Sequence, residues 1–220
     1  MPLLDGPRLP PRSGRPADAL VVFLHGYGAD GRDLIDLGDA FAELLPNAAF
    51  LSPHAPFPCD QMPIGRQWFP LALADPHAIA RDALGALPAL ARFLDDERTA
   101  LGLPWDRVAL FGFSQGAMLA LAFAVTAPEP LAAVVGASGF LPPVLGEKPP
   151  QARPPVLLMH GGRDEVVPAY ALPASEAALA KAGVPVETYL AAALGHGLDA
   201  AGIARAGRFL AAHLPPRPPA

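Results

Sequence analysis

Apolar and polar positions fall in blocks along this chain rather than residue by residue. Continuous apolar, strand-like runs occur at Ala19 to Leu24, Ala48 to Ser52, Arg107 to Phe113, Ala132 to Ala137, Pro155 to His160 and Val186 to Leu190. Between them, helical spacing marks Asp33 to Leu45, Ala78 to Leu101, Gln115 to Ala127, Leu172 to Ala182 and Leu198 to Leu210. Short runs that are apolar throughout predict strands buried on both faces. Alternated with helices, they predict an α/β fold with a mainly parallel central sheet and helices on both faces. Such sheets hold their ligands at the carboxyl ends of the strands.

Prolines punctuate the chain at Pro53 to Pro63 and Pro142 to Pro155, and Gly183 closes the helix before the last strand. There is no internal repeat and no shift in composition, so one domain is expected over residues 19–213. A partly irregular N-terminal extension (1–18) precedes it and a frayed, proline-rich tail (214–220) follows. The stretch Pro53 to Leu73 is long and without periodicity, which makes it the expected cover of a site and source of substrate contacts.

Sixteen basic and twenty-one acidic residues give a net charge of −5 without any basic cluster, which argues against nucleic-acid partners and anionic membrane surfaces. The single cysteine, Cys59, excludes an internal disulfide and a cysteine-based zinc site, and no HExxH string is present, so no metal is expected. Met1 to Pro16 lacks the apolar core of a secretory signal, so the expected location is cytoplasmic. Val108 to Val125 is apolar enough to suggest a membrane span, but its centre holds two glycines and a Ser-Gln pair. A buried strand running into a buried helix accounts for the same letters, and no stable membrane insertion is expected.

The sharpest chemical signal is Gly112-Phe113-Ser114-Gln115-Gly116, a GxSxG at a strand-to-helix junction. This is the context of a nucleophile elbow, where small residues on both sides let a serine stand out on a tight, strained turn. A structural serine in a glycine-flanked turn is the plainer alternative, and the serine's partners decide between them. A serine hydroxyl needs a base in hydrogen-bond reach and a third group to orient that base. Of six histidines, His25 and His160 end strands just before glycines and suit packing or loop shaping. His54, His77 and His213 lie in a loop, a helix start and the tail. His196 follows the last strand and precedes the last helix, at the rim where the elbow opens.

In the order Ser, Asp/Glu, His, the acid falls at Asp164, in the turn leaving the Pro155 to His160 strand, with Glu165 as the fallback. The expected oxyanion donors are the backbone N–H groups of Gln115, at the start of the elbow helix, and Tyr27, in the glycine-rich loop after the first strand. That loop also reads Gly26-x-Gly28-x-x-Gly31, a literal dinucleotide fingerprint. The next strand ends Leu51-Ser52-Pro53-His54 with no carboxylate for a ribose, which argues against a nicotinamide oxidoreductase. A hydrolase-fold binding protein with a vestigial site is a further alternative, and it would lack one of the three side chains.

With these residues in hand, the chain resembles the carboxylesterase/phospholipase family of α/β-hydrolases, which includes bacterial esterases and acyl-protein thioesterases. The likeness rests on Phe23-Leu24-His25-Gly26-Tyr27-Gly28-Ala29-Asp30-Gly31, the GxSxG, His160-Gly161-Gly162-Arg163-Asp164-Glu165-Val166-Val167-Pro168 and Gly195-His196, with Ser52 to Pro56 and Gln67-Trp68-Phe69 between them. It implies a minimal cap and a serine carboxylesterase or lysophospholipase, with thioesters as the alternative substrates. It also implies no cofactor, a small-molecule ester as partner and frequent homodimers. Two departures stand out: Gly116-Ala117 replaces paired glycines, and Gly197 replaces the serine that follows the histidine in the thioesterase branch. Expected acyl contacts are Phe57, Met62, Ile64, Trp68, Phe69, Phe140 and Leu141, Trp68 foremost, with Arg66 a candidate for a polar head group.

Overall fold

A computed structural model describes residues 4–145 and 149–216 of the chain. Its strands are β1 (Arg8–Leu9), β2 (Ala19–Leu24), β3 (Ala48–Leu51), β4 (Phe57–Pro58), β5 (Arg66–Gln67), β6 (Val108–Phe113), β7 (Ala133–Ala137), β8 (Val156–Gly161) and β9 (Val186–Ala191). The helices are α1 (Leu37–Phe41), α2 (Pro76–Ala100), α3 (Gln115–Thr126), α4 (Ala171–Lys181) and α5 (Ala200–His213). Seven strands form one sheet in the order β1-β3-β2-β6-β7-β8-β9, parallel except for the antiparallel edge strand β1.

The period-2 geometry of a strand explains why the central runs are apolar at every position. Leu20, Val22 and Leu24 of β2, with Val108 and Leu110 of β6, face the core beneath α2, α3 and α4. Ala19, Val21 and Phe23, with Ala109 and Phe111, face the core beneath α1 and α5. On that second side Phe23 meets Phe41, Phe50 and Phe111 at ring-centroid distances of 6.0, 6.1 and 5.8 Å. The residues of α3 from Gln115 to Val125 are all buried, which is why the chain is so apolar there. Among the described residues, no helix is long and apolar enough to cross a membrane.

Helix boundaries follow local chemistry. The Asp75 carboxylate caps α2 by accepting from the His77 and Ala78 amides, with Pro76 at the first turn, so this helix starts two residues before the periodicity suggests. Asp199 caps α5 through the Gly202 amide at 2.7 Å and also accepts from the Tyr189 hydroxyl at 2.9 Å.

Two expectations are corrected and a third, the partly irregular extension, gains detail. The helix expected over Asp33 to Leu45 is only Leu37–Phe41, because the chain before it turns in three-residue steps such as Asp33 N–H to Asp30 O and Leu37 N–H to Leu34 O. Its apolar spacing reports burial of Leu34, Ile35, Phe41 and Leu45 without a continuous helix. The N-terminal extension contributes β1, which is too short to show periodicity; Arg8 then braces it to α2 through both carboxylate oxygens of Glu97 at 2.7 Å. Leu214, placed in a frayed tail by the sequence reading, is buried, and the Pro215 carbonyl accepts from Arg107 at 2.9 Å. Residues 217–220 of that tail lie outside the described residues.

Candidate active site

The turn between β6 and α3 shows why its sequence needs glycines. A Cβ on Gly112 would stand 2.3 Å from the Gly116 carbonyl oxygen, and one on Gly116 would stand 1.9 Å from that of Leu24. Neither contact is tolerable against backbone. The tight approach forces Ser114 to φ 52° and ψ −115°, and its N–H donates to the Ala137 carbonyl at 2.8 Å. Its hydroxyl is thereby aimed at the rim formed by the carboxyl ends of β7, β8 and β9.

At that rim His196 Nε2 lies 3.0 Å from Ser114 Oγ, and His196 Nδ1 lies 2.7 Å from Asp164 Oδ2. The Asp164 side chain is fully buried, while that of His196 keeps 18% of its surface exposed. Asp164 reaches this position because its other oxygen accepts from the Val166 and Val167 amides, each at 2.9 Å, in the turn leaving β8. A buried carboxylate with no N–H of its own requires the proton on Nδ1, leaving Nε2 as acceptor for the serine hydroxyl. The fallback acid, Glu165, points to solvent. The arrangement can draw a proton from Ser114 and stabilise the imidazolium that results.

The two residues expected to supply oxyanion donors sit on segments next to Ser114. Gln115 opens α3, and its side chain braces the neighbouring loop, accepting from the Trp68 amide at 2.9 Å and donating to the Phe69 carbonyl at 2.7 Å. The loop after β2 passes close by: a Cβ on Gly26 would lie 3.4 Å from Ser114 Cβ. Tyr27 follows, held by its phenol to the Asp60 carboxylate and the Gln61 amide. Gly28 takes φ +81° and donates to the Arg66 carbonyl at 2.9 Å.

His25 supports the same loop from beneath. Its Nε2 accepts from the Ala55 amide at 3.0 Å, so Nδ1 carries the proton and donates to the Gly26 carbonyl at 2.8 Å. Burial pushes its pKa down to about 4. His160 is also buried, donating from Nε2 to the Val167 carbonyl at 2.9 Å beside Asp164. Both shape loops, as their places before glycines suggest.

The expected substrate contacts separate into three groups. Trp68 and Phe69 are each 2% exposed, and Trp68 Nε1 donates to the His25 carbonyl at 2.9 Å. They pack under the loops and show almost no surface to solvent. Phe57, Met62 and Ile64 are exposed on or beside the β4–β5 hairpin, where Met62 packs against Gly28. Phe140 and Leu141 line a cavity of about 390 Å³ whose wall also includes Leu73, Val166, Val167 and Tyr170. The sequence reading missed Val166 and Val167, although the apolar pair directly after an acidic turn was a usable signal. The Arg66 guanidinium donates to the Ala55 and Pro56 carbonyls.

The dinucleotide fingerprint also finds a physical explanation. Helix α1 begins only at Leu37, so no helix N-terminus opens at the glycine loop to hold a phosphate. Gly31 is glycine because a Cβ there would stand 2.0 Å from the Ser52 carbonyl oxygen.

The model of the phospholipase/carboxylesterase family matches residues 11–214 of this chain. The chain belongs to that family. Among its relatives, acyl-protein thioesterase 1 of Schizosaccharomyces pombe is 33% identical over 165 residues, covering 68% of this chain and 70% of the relative. Esterase YpfH of Escherichia coli is 29% identical over 187 residues, covering 84% and 78%. In the solved structure of esterase PE8 the fold superposes with a TM-score of 0.89 at 39% identity, over 95% of this chain and 98% of that one. The fold is that of an α/β-hydrolase, and the enzyme class is serine ester hydrolase.

Proposed function

We propose that this enzyme cleaves carboxylic esters of small molecules through a triad of Ser114, His196 and Asp164 and a covalent acyl intermediate. The observation that carries the reading is the unbroken series Ser114 Oγ, His196 Nε2, His196 Nδ1, Asp164 Oδ2, with spacings of 3.0 and 2.7 Å at its two hydrogen bonds. Ser114 Oγ forms a bond to the carbonyl carbon while its proton passes to Nε2, and the carbonyl electron pair moves onto oxygen. The amides of Gln115 and Tyr27 hold that oxygen. The tetrahedral species then expels the alkoxide, which takes the proton from Nε2, and water repeats the sequence to release the acid.

The acyl chain is assigned to the cavity lined by Phe140, Leu141, Val166 and Val167. Its place supports this. Val167 is three residues from Asp164 and hydrogen-bonded to it, and Phe140 follows Gly139, where a Cβ would stand 2.7 Å from the Ser114 carbonyl oxygen. The reading includes a cytoplasmic location, which the single cysteine suits. A second reading, thioester hydrolysis, is favoured by the likeness to acyl-protein thioesterase 1. The same chemistry serves both, with a thiolate leaving in place of an alkoxide.

The test is Ser114→Ala, assayed with p-nitrophenyl esters and a fluorophosphonate probe. Loss of about four or more orders of magnitude in kcat, with labelling abolished and the fold intact, is expected. Wild-type turnover by that variant would overturn the reading. Paired oxygen and sulfur esters of equal acyl length then separate the two substrate classes.

A further inference from the structure

Among the described residues, only two that are not glycine hold a positive φ: Ser114 at 52° and Ser138 at 50°. The first is explained by the elbow. The second is a buried serine, 0% exposed, at the end of β7, with no place in the chemistry above. Left-handed backbone at a side-chain-bearing residue persists only where its surroundings impose it, and it concentrates at functional sites.

What surrounds Ser138 joins both halves of the catalytic rim. Its N–H donates to the Met159 carbonyl at 2.8 Å, carrying the β7–β8 pairing one residue past the strand. The preceding carbonyl, of Ala137, accepts from the Ser114 amide at 2.8 Å. On the other side, Ser138 Oγ donates to the Gly197 carbonyl at 3.2 Å, one residue past His196.

The His196 loop is anchored unevenly without that bond. Upstream, the Leu194 carbonyl accepts from the Arg163 amide at 2.8 Å, and Gly195 lies so close to β8 that a Cβ on Gly161 would stand 2.0 Å from its oxygen. Downstream, Gly197 has nothing within 4 Å of where a Cβ would be, so packing does not hold it. The next anchors are Leu198, packed against the core beneath α1 and α5, and Asp199, the cap of α5.

We propose that Ser138 is a positioning residue: its left-handed backbone is kept in order to aim Oγ at the Gly197 carbonyl, which holds the His196 ring in line between Ser114 and Asp164. This rests on the triad reading. Glycine at 138 accepts φ 50° without strain but has no hydroxyl, so it separates stability from function. Ser138→Gly is expected to keep the melting temperature within a few degrees of wild type, lower kcat on a p-nitrophenyl ester roughly 10- to 100-fold, and leave KM within twofold. Ser138→Cys, nearly isosteric with a weak donor, should recover part of kcat. Because Ser138 acts through His196, adding Ser138→Gly to His196→Ala should cost nothing further. Wild-type kcat in a folded Ser138→Gly protein would overturn the proposal. So would a loss that adds in full to that of His196→Ala, since that marks a role independent of the imidazole. If His196→Ala itself retains wild-type kcat, the triad reading fails and this proposal falls with it.

Discussion

Acid should loosen the loop after β2 through one buried imidazole. His25 is 0% exposed and both ring nitrogens are engaged: Nε2 accepts from the Ala55 amide, and Nδ1–H donates to the Gly26 carbonyl. A second proton would have to enter at Nε2, directly opposite an N–H, in a site shielded from water. Burial accordingly lowers the pKa from the ordinary 6.5 to about 4. The depressed value means the native protein binds fewer protons than the unfolded chain between those limits. His25 therefore contributes full stability above about pH 6.5, and loses it as pH falls toward about 4. At about 1.4 kcal/mol per unit, the loss approaches about 3 kcal/mol, a large share of a typical folding free energy. The assay is urea unfolding at steps from pH 7 to pH 4 for wild type and His25→Gln, where glutamine is neutral throughout. The variant starts less stable at pH 7, but the gap should close by about 3 kcal/mol toward pH 4. Parallel curves for the two proteins would refute the reasoning.

Gly116→Ala places a methyl 1.9 Å from the Leu24 carbonyl, a contact backbone cannot yield, so about 3 kcal/mol or more of stability should be lost along with activity; an unchanged melting temperature would contradict the elbow geometry. Ala174→Phe puts a ring at the cavity wall beside Phe140 and Leu141. At about 0.8 kcal/mol per buried methylene, displacing three should lower kcat/KM for the longest acyl chains roughly 50-fold and leave acetate esters unaffected, measured over a p-nitrophenyl ester series.

Much of this molecule was legible because its determinants are local. Every residue of β2 is apolar because both faces of that strand are covered, and no long-range information is needed to see it. Gly112 and Gly116 announce a turn that excludes any larger residue, so the elbow can be read from five letters. The placement of Ser114, Asp164 and His196 just past the ends of β6, β8 and β9 likewise follows from the alternation of strands and helices. Their 3.0 and 2.7 Å spacings belong to the folded chain alone.

What only the tertiary structure decided depends on contacts between distant segments. Trp68 reads as an aromatic in an irregular loop, and its burial follows from one indole N–H finding the His25 carbonyl, forty-three residues away. Edge strand β1 exists because β3 offers unpaired backbone, not because two residues carry a pattern. Ser138 is an ordinary letter in an apolar stretch, and nothing local marks its left-handed backbone or its bond to Gly197. Sequence reports which faces are buried and which turns are tight, since periodicity and steric exclusion act over a few residues. Which group meets which across the rim is settled by packing, which sums many weak contacts over the whole chain.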